Sequence, residues 1–268
     1  MIERIFGVDF SGAEAAGDSI WITEAAFDGR RIRVESCQPA ALLPGSARHR
    51  TQCLAALVDF VGAQRNVAVG CDFPFSLPGS MIEARDWRTF VLDLGDRFGS
   101  ADDFLEDCRR RGNGRELRRA CDRESRVPFA AYNLRIYRQT YYGIRDLLAP
   151  LMRERRAVVL PMQRPDGTLP WVIETCPAST LKHGDLYLSY KGRSAAARAA
   201  RAAILGALVR RKLLAPLEPP VRRLALDNAG GDALDSIIAA VATAHAHLAG
   251  RFAEGPSAAE RMEGRVYF

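Results

Sequence analysis

The chain has 268 residues, of which 48% are hydrophobic and 26% are charged, a balance typical of folded globular proteins that bury a substantial core. It contains no uninterrupted apolar run of the ~20 residues that a membrane span needs, and its N-terminus lacks the pattern of a secretory signal. We therefore expect a cytoplasmic protein with no membrane partner. Nothing in the sequence predicts its oligomeric state.

The net charge is +6, and 35 of the 38 basic residues are arginine. This modest excess permits a polyanionic partner but does not require one. The six cysteines form no CxxC pair, so we expect buried, reduced thiols. The four histidines show no metal-binding spacing.

Hydrophobic patterning predicts alternating strands and helices along the chain. The predicted strands cover 3–9, 19–27, 31–35, 67–71, 157–160 and 171–174. The predicted helices cover 48–64, 194–214 and 232–249. Asp28-Gly29 is a hairpin signal between the second and third strands. This order favours one α/β domain over residues 1–268, a mixed sheet covered by helices, with a charged, mainly helical insertion at about 79–153.

Asp9 and Asp72 each end a hydrophobic strand. A charge beside a core needs a partner, and carboxylates that converge form a site for a hard divalent cation. An Asx turn that closes each strand is the alternative interpretation.

Asp232 and Asp235 begin the helix of 232–249. A helical wheel places Asp235 at the edge of the apolar stripe and Asp232 on the polar side, so Asp235 is the better candidate to face the sheet. Both acids also suit a helix start through capping and the helix dipole. Glu174 ends the strand at 171–174; metal ligation, a substrate contact and pairing with an arginine all remain open for it.

Four motifs resemble the ribonuclease H-like superfamily and, more closely, the predicted-nuclease family called domain of unknown function 429. They are Phe6-Gly-Val-Asp9-Phe-Ser-Gly12, Asp72-Phe-Pro-Phe-Ser-Leu-Pro78, Ile173-Glu174-Thr-Cys-Pro177 and Gly231-Asp232-Ala-Leu-Asp235 with the Ser-Ile-Ile-Ala-Ala that follows. The resemblance implies a five-stranded mixed sheet and an acidic Mg²⁺ or Mn²⁺ site. It maps the metal ligands onto Asp9, Asp72 and Asp235, with Asp232 as a further acid, and it matches Glu174 to an acidic position of the family.

Two features of the insertion suggest contacts with nucleic acid. The first is an arginine series that would line one face if this segment were helical; it comprises Arg115, Arg118, Arg119, Arg123 and Arg126. A solvated charged helix is the alternative. The second is a tyrosine group, Tyr132, Tyr137, Tyr141 and Tyr142, for which core packing is the simpler interpretation because of an apolar stripe at helical spacing.

The leading hypothesis is a nuclease that uses Mg²⁺ or Mn²⁺, held by the carboxylates, to hydrolyse phosphodiester bonds of DNA or RNA. Asp9 would bridge two ions, Asp72 and Asp235 would each ligate one, and Asp232 or Glu174 would tune the site. One alternative is a phosphotransferase or ATPase of the actin-like and sugar-kinase type, with the turn after Asp9 holding phosphate. Another is a non-catalytic protein that binds metal or nucleic acid.

Overall fold

The computed structural model describes residues 2–268 and contains one mixed sheet. Its seven strands are β1 (Arg4–Asp9), β2 (Trp21–Phe27), β3 (Ile32–Pro39), β4 (Val67–Asp72), β5 (Val158–Leu160), β6 (Trp171–Thr175) and β7 (Val266–Tyr267). They lie in the order β3-β2-β1-β4-β6-β5, and β7 pairs with β6 beyond the end of β5. The α/β class and the mixed sheet are confirmed, but the five strands that the resemblance implied are too few, since the sheet has seven.

The strands form an antiparallel half and a parallel half. β2 pairs antiparallel with β1 and β3, as expected for short hairpin connections. β1, β4, β6 and β5 run parallel to one another. The C-terminal ends of β1, β4 and β6 therefore meet at the same edge of the sheet, where the three strand-end acids of the sequence lie.

Twelve α-helices cover the sheet within the described residues. They are α1 (Ala16–Ser19), α2 (Arg50–Ala63), α3 (Trp87–Arg97), α4 (Ala101–Arg111), α5 (Ala120–Glu124), α6 (Tyr137–Tyr142), α7 (Ala149–Arg153), α8 (Pro177–His183), α9 (Ala195–Arg210), α10 (Pro219–Asp227), α11 (Asp232–Leu248) and α12 (Glu260–Glu263). A π-helical turn, Gly143–Leu148, joins α6 to α7. No helix of residues 2–268 has both the length and the apolar character to cross a bilayer.

Each face of the sheet has its own hydrophobic core. Phe6 and Val8 of β1 pack with α2 and with the helices that follow β4, so the predicted insertion at 79–153 shares a core with the sheet. Ile5 of β1 and Ala68 of β4 pack on the other side, with α9, α10 and α11. Because successive side chains of a strand point to opposite faces, odd positions of β1 and even positions of β4 face α11.

Two glycines allow α11 to lie directly on the sheet. A Cβ atom on Gly7 would lie 2.0 Å from the carbonyl oxygen of Ser236, and one on Gly70 would lie 2.1 Å from Oγ1 of Thr243. The Thr23 and Ser236 hydroxyls are 2.7 Å apart and share a buried hydrogen bond between β2 and α11. These contacts fix the position of the helix whose first turn carries Asp232 and Asp235.

Candidate metal and active site

Asp9 and Asp72 are register partners at the ends of β1 and β4. Asp9 lies two residues after Gly7, and Asp72 lies two residues after Gly70, so both carboxylates point to the face that α11 covers. The chain turns away after Asp9 through Ser11, whose hydroxyl accepts a hydrogen bond from the Ala13 amide at 3.3 Å. The neighbouring strands thus present two acids side by side toward one helix.

The start of α11 brings a third acid to the same place. The helix begins after Gly231, which has a φ of +87°, a conformation that favours glycine. One turn later Asp235 is only 1% exposed, whereas Asp232 is half-buried. The prediction that Asp235 is the acid directed toward the sheet is confirmed.

Four of the predicted site residues line a single cavity. We call it the carboxylate cavity; it has a volume of about 380 Å³, and Asp9, Asp72, Glu174 and Asp235 contribute to its wall. Asp232 instead lines an adjoining cavity, which it shares with Asp9. The structure therefore brings Asp9, Asp72 and Asp235 together and places Asp232 beside them.

The three converging carboxylates resist ionisation together. Burial, followed by the negative charges of Asp235 and Asp72, raises the pKa of Asp9 well above its usual range. Burial and then the charge of Asp235 raise the pKa of Asp72 to about 8. Burial also raises the pKa of Asp235, although the charge of Lys191 opposes that rise. Desolvated like charges of this kind favour an added cation.

A lysine and a tyrosine from the segment before α9 occupy both oxygens of Asp235. The Lys191 Nζ atom lies 2.8 Å from Oδ2, and the Tyr190 hydroxyl donates a hydrogen bond to Oδ1 at 2.6 Å. Burial lowers the pKa of Lys191, but the charges of Asp235 and Asp9 outweigh that effect and raise it overall. The ammonium is therefore a positive charge supplied by the protein itself.

The donor set suits a hard divalent cation, because such ions prefer carboxylate oxygens. As the side chains stand, however, no three Asp, Glu, His or Cys residues within 2–268 are arranged to hold a metal ion. At Asp235 metal binding is blocked because Lys191 and Tyr190 contact its two carboxylate oxygens. Metal binding at this acid requires the Lys191 ammonium to move.

A family model described as "Protein of unknown function (DUF429)" matches residues 7–261 of the chain. The chain belongs to this family. The match includes all four motifs on which the resemblance was based, apart from Phe6 at the start of the first. Neither the curated proteins nor the solved structures contain a match. Membership in DUF429 therefore carries no established activity.

Of the acids in the DUF429 motifs, Glu174 differs from the others in its contacts. Arg119 donates to both of its oxygens, with Nη1 2.8 Å from Oε2, and the Phe75 amide donates to Oε2 at 2.9 Å. Of the three roles left open by the sequence, pairing with an arginine is the one observed. Register explains the difference, because Glu174 pairs with Cys71, which faces away from α11.

The arginine series expected to form a helical stripe does not form one. Helix α5 spans only Ala120–Glu124, so the five arginines lie on a loop, a short helix and the turn that follows it. Arg119 is fully buried, and Arg118 donates to the carbonyls of Val127 and Pro128 at 2.6 and 2.8 Å. Only Arg115, Arg123 and Arg126 are exposed. The stripe prediction is wrong because the segment lacks the regular helix on which it depended.

The tyrosine group belongs mainly to the core, as the simpler interpretation held. Tyr132, Tyr137 and Tyr141 are buried, and Tyr142 is half-buried beneath the Arg50 guanidinium, 3.6 Å from its ring centre. The six cysteines are all buried and unpaired, as expected.

Sequence reasoning missed Tyr190 and Lys191, although they make the closest polar contacts to Asp235. The available signal was compositional: Lys191 is one of three lysines in a chain with 35 arginines. Gln139 of α6 was also missed. Its amide group donates to the carbonyl of Phe10 at 2.5 Å, which ties the helical insertion to the turn after Asp9.

Proposed function

We propose that the protein is a cytoplasmic, divalent-metal-dependent nuclease that hydrolyses phosphodiester bonds of nucleic acid. The observation that carries the proposal is the convergence of Asp9, Asp72 and Asp235 on one cavity. Burial raises the pKa of all three acids, and the charge of Asp235 further raises the pKa values of Asp9 and Asp72. Perturbed carboxylates in a cleft are characteristic of functional sites. Ionising buried carboxylates next to each other is unfavourable unless a cation is present. Such a cluster is therefore suited to bind a cation.

The topology of the sheet also supports a ribonuclease H-like fold. The order β3-β2-β1-β4-β6 with an antiparallel β2 agrees with the mixed sheet that the resemblance implied. Acids stand at the end of the first strand, the end of the fourth strand and the start of a long late helix. We propose that these three positions form the metal site.

Within this proposal Asp9 would contribute to the binding of both ions, since it lines both the carboxylate cavity and the adjoining cavity. Asp72 and Asp235 would each hold one Mg²⁺ or Mn²⁺ ion, and Asp232 would orient water from the adjoining side. The ions would supply an activated water and stabilise the leaving oxygen. Lys191, once released from Asp235, would place its ammonium against a phosphate oxygen, a contact that suits a lysine.

Cleavage assays test the proposal directly. A panel of single-stranded, duplex, hybrid and branched DNA and RNA, incubated with Mn²⁺, should contain at least one substrate that the protein cleaves. Asp9→Ala and Asp235→Ala should each abolish that cleavage, whereas Asp93→Ala, at an exposed acid of α3, should not. Wild-type cleavage by both site variants, with the fold intact by circular dichroism, would exclude the assignment.

One observation favours a second candidate, a non-catalytic binding protein. The Lys191 ammonium already neutralises part of the cluster through Asp235, so the acids have an internal partner. This candidate predicts no binding of Mn²⁺ at millimolar concentration, whereas the nuclease requires such binding.

A further inference from the structure

The carboxylate cavity also has a wall of different chemistry, formed by apolar residues. This apolar wall comes from two segments outside the sheet. Its residues are Val127, Pro128, Phe129, Ile136, Tyr187 and Leu188. The two walls meet around the same 380 Å³ space, so a ligand there would contact charged and apolar groups at once.

Two large side chains of the apolar wall are exposed, although Val127 of the same wall is buried. Tyr187 is 52% exposed and Leu188 is 43% exposed, and Phe129 is half-buried. Exposed apolar side chains that are gathered in a cleft mark binding sites more often than scattered ones do.

The segment that carries Tyr187 and Leu188 is anchored to the body of the protein by polar contacts of the residues that follow them. Arg201 of α9, only 2% exposed, donates to the carbonyls of Tyr190 and Gly192 at 2.5 and 3.1 Å. The side chains of Tyr190 and Lys191 are themselves fixed on Asp235. The apolar wall is therefore present before any ligand arrives.

A positively charged side chain, that of Arg135, lies where the apolar wall meets the adjoining cavity. Arg135 lines both cavities, is exposed, and forms no ion pair within residues 2–268. Its guanidinium carbon lies 5.3 Å from the centre of the Phe129 ring. An aromatic plane beside a free guanidinium combines a surface on which a base stacks with a group that binds phosphate.

We propose that the apolar wall receives the base of a single unpaired nucleotide, with its phosphate directed toward Arg135 and the carboxylates. This inference rests on the proposed function and specifies its substrate class. A cavity of this volume lies near the lower end of ligand pockets, about 300–1,000 Å³, and suits one nucleotide. A base inside an intact duplex is stacked on both sides and must be extruded before it enters such a pocket.

Fluorescence anisotropy with labelled oligonucleotides tests the proposal. Three DNA probes of equal length are compared in Ca²⁺: a single strand, a duplex of the same sequence, and a strand whose bases are replaced by abasic sites. We expect the single strand to bind at least tenfold more tightly than either of the others. Equal binding of all three probes would overturn the proposal.

Variants locate the binding to the apolar wall. Phe129→Ala and Tyr187→Ala should each weaken binding of the single strand about tenfold, consistent with the loss of one stacked base. Leu224→Ala is the matched control, because Leu224 is 43% exposed and lies outside both cavities; it should bind as wild type does. Unchanged binding by both aromatic variants would contradict the assignment.

A competition experiment shows whether the bound base belongs to a nucleic-acid strand or to a free nucleotide. A mononucleotide that displaces the labelled strand at an equal molar concentration would support the pocket and identify a free nucleotide as its ligand. Displacement only by oligonucleotides would support a strand end or a looped-out base. Base-dependent binding without any Mn²⁺-dependent cleavage would leave the pocket in place and reject the nuclease.

Discussion

Lys191 and Asp235 form an ion pair at the centre of the site, with Nζ 2.8 Å from Oδ2. Asp235 is almost fully buried, whereas the lysine side chain is 59% exposed along its length. The ammonium therefore reaches inward from a segment that connects α8 and α9. A positive charge in this position competes with any divalent cation that the acids bind.

Removing that charge should strengthen metal binding. We expect Lys191→Met to tighten the Kd for Mn²⁺ about tenfold, because a unit charge a few ångströms from the ligands opposes the ion. Isothermal titration calorimetry measures the change. Lys212→Met, at an exposed lysine outside the cavity, is the control and should match wild type. Weaker Mn²⁺ binding by Lys191→Met would show that the lysine assists the metal instead of competing with it.

The metal-free protein should lose stability as the pH rises. The pKa of Asp72 is about 8 in the folded state, against 3.8 for an unperturbed group. Between those values the folded state holds a proton that the unfolded state has lost, so the free energy of unfolding falls with rising pH. Urea unfolding in EDTA from pH 5 to pH 9 measures this slope.

Two comparisons assign that pH dependence to the carboxylates. Asp72→Asn should give a shallower slope than wild type, because the substituted side chain does not titrate. Saturating Mn²⁺ should also flatten the wild-type slope, since the ion stabilises the charged form of the acids. If the free energy of unfolding rose between pH 5 and pH 8 in EDTA, ionisation of the carboxylates would not destabilise the folded state, and this prediction would be wrong.

Close contact between β1 and α11 should depend on Gly7. A Cβ atom there would lie 2.0 Å from the Ser236 carbonyl and 2.4 Å from the Ala240 amide nitrogen, so Gly7→Ala must push the helix off the strand. We expect the free energy of unfolding to fall by about 3 kcal/mol or more, with weaker Mn²⁺ binding because Asp235 moves with the helix. Gly255→Ala, where a Cβ atom meets nothing within 4 Å, should change neither. Equal stability of the two variants would contradict the packing.

Glu174 should matter for folding and not for metal binding. Glu174→Gln removes the charge that faces the buried Arg119 guanidinium, and breaking a buried ion pair from one side costs about 3–5 kcal/mol. Urea unfolding should show this loss, whereas the Kd for Mn²⁺ should stay within about twofold of wild type. Asp227→Asn, in the exposed pair with Arg198, is the control and should cost at most about 1 kcal/mol. If Glu174→Gln no longer bound Mn²⁺, Glu174 would have to be regarded as a metal ligand.

The positions of Asp9, Asp72 and Asp235 could be predicted because each depends on local pattern. Two acids end strong hydrophobic strands, and parallel strands place such ends at one edge. The third follows from the apolar stripe of a regular helix. Glu174 could not be resolved in this way, because Val172 and Ile173 beside it are both fully buried. A strand that is buried on both faces carries no alternation to show where its last side chain points.

The contacts of Lys191 and Arg119 could not be predicted for different reasons. Lys191 lies in an irregular segment, where no periodicity relates the sequence to a direction in space. Arg119 is fully buried, whereas an arginine in a charged stretch is most often exposed. Its burial depends on Asp122 and Glu174 lying on either side of it in the fold, and the contact with Glu174 spans 55 positions of the chain.

Calorimetric titration of the wild-type protein with Mn²⁺, alongside Asp9→Asn, tests the central claim most directly. If Asp9, Asp72 and Asp235 form a cation site, wild type binds one or two Mn²⁺ ions at submillimolar concentration and Asp9→Asn loses that binding while it remains folded. If wild type shows no heat of binding up to several millimolar Mn²⁺, or if Asp9→Asn binds as wild type does, the metal site is wrong and the nuclease assignment is wrong with it.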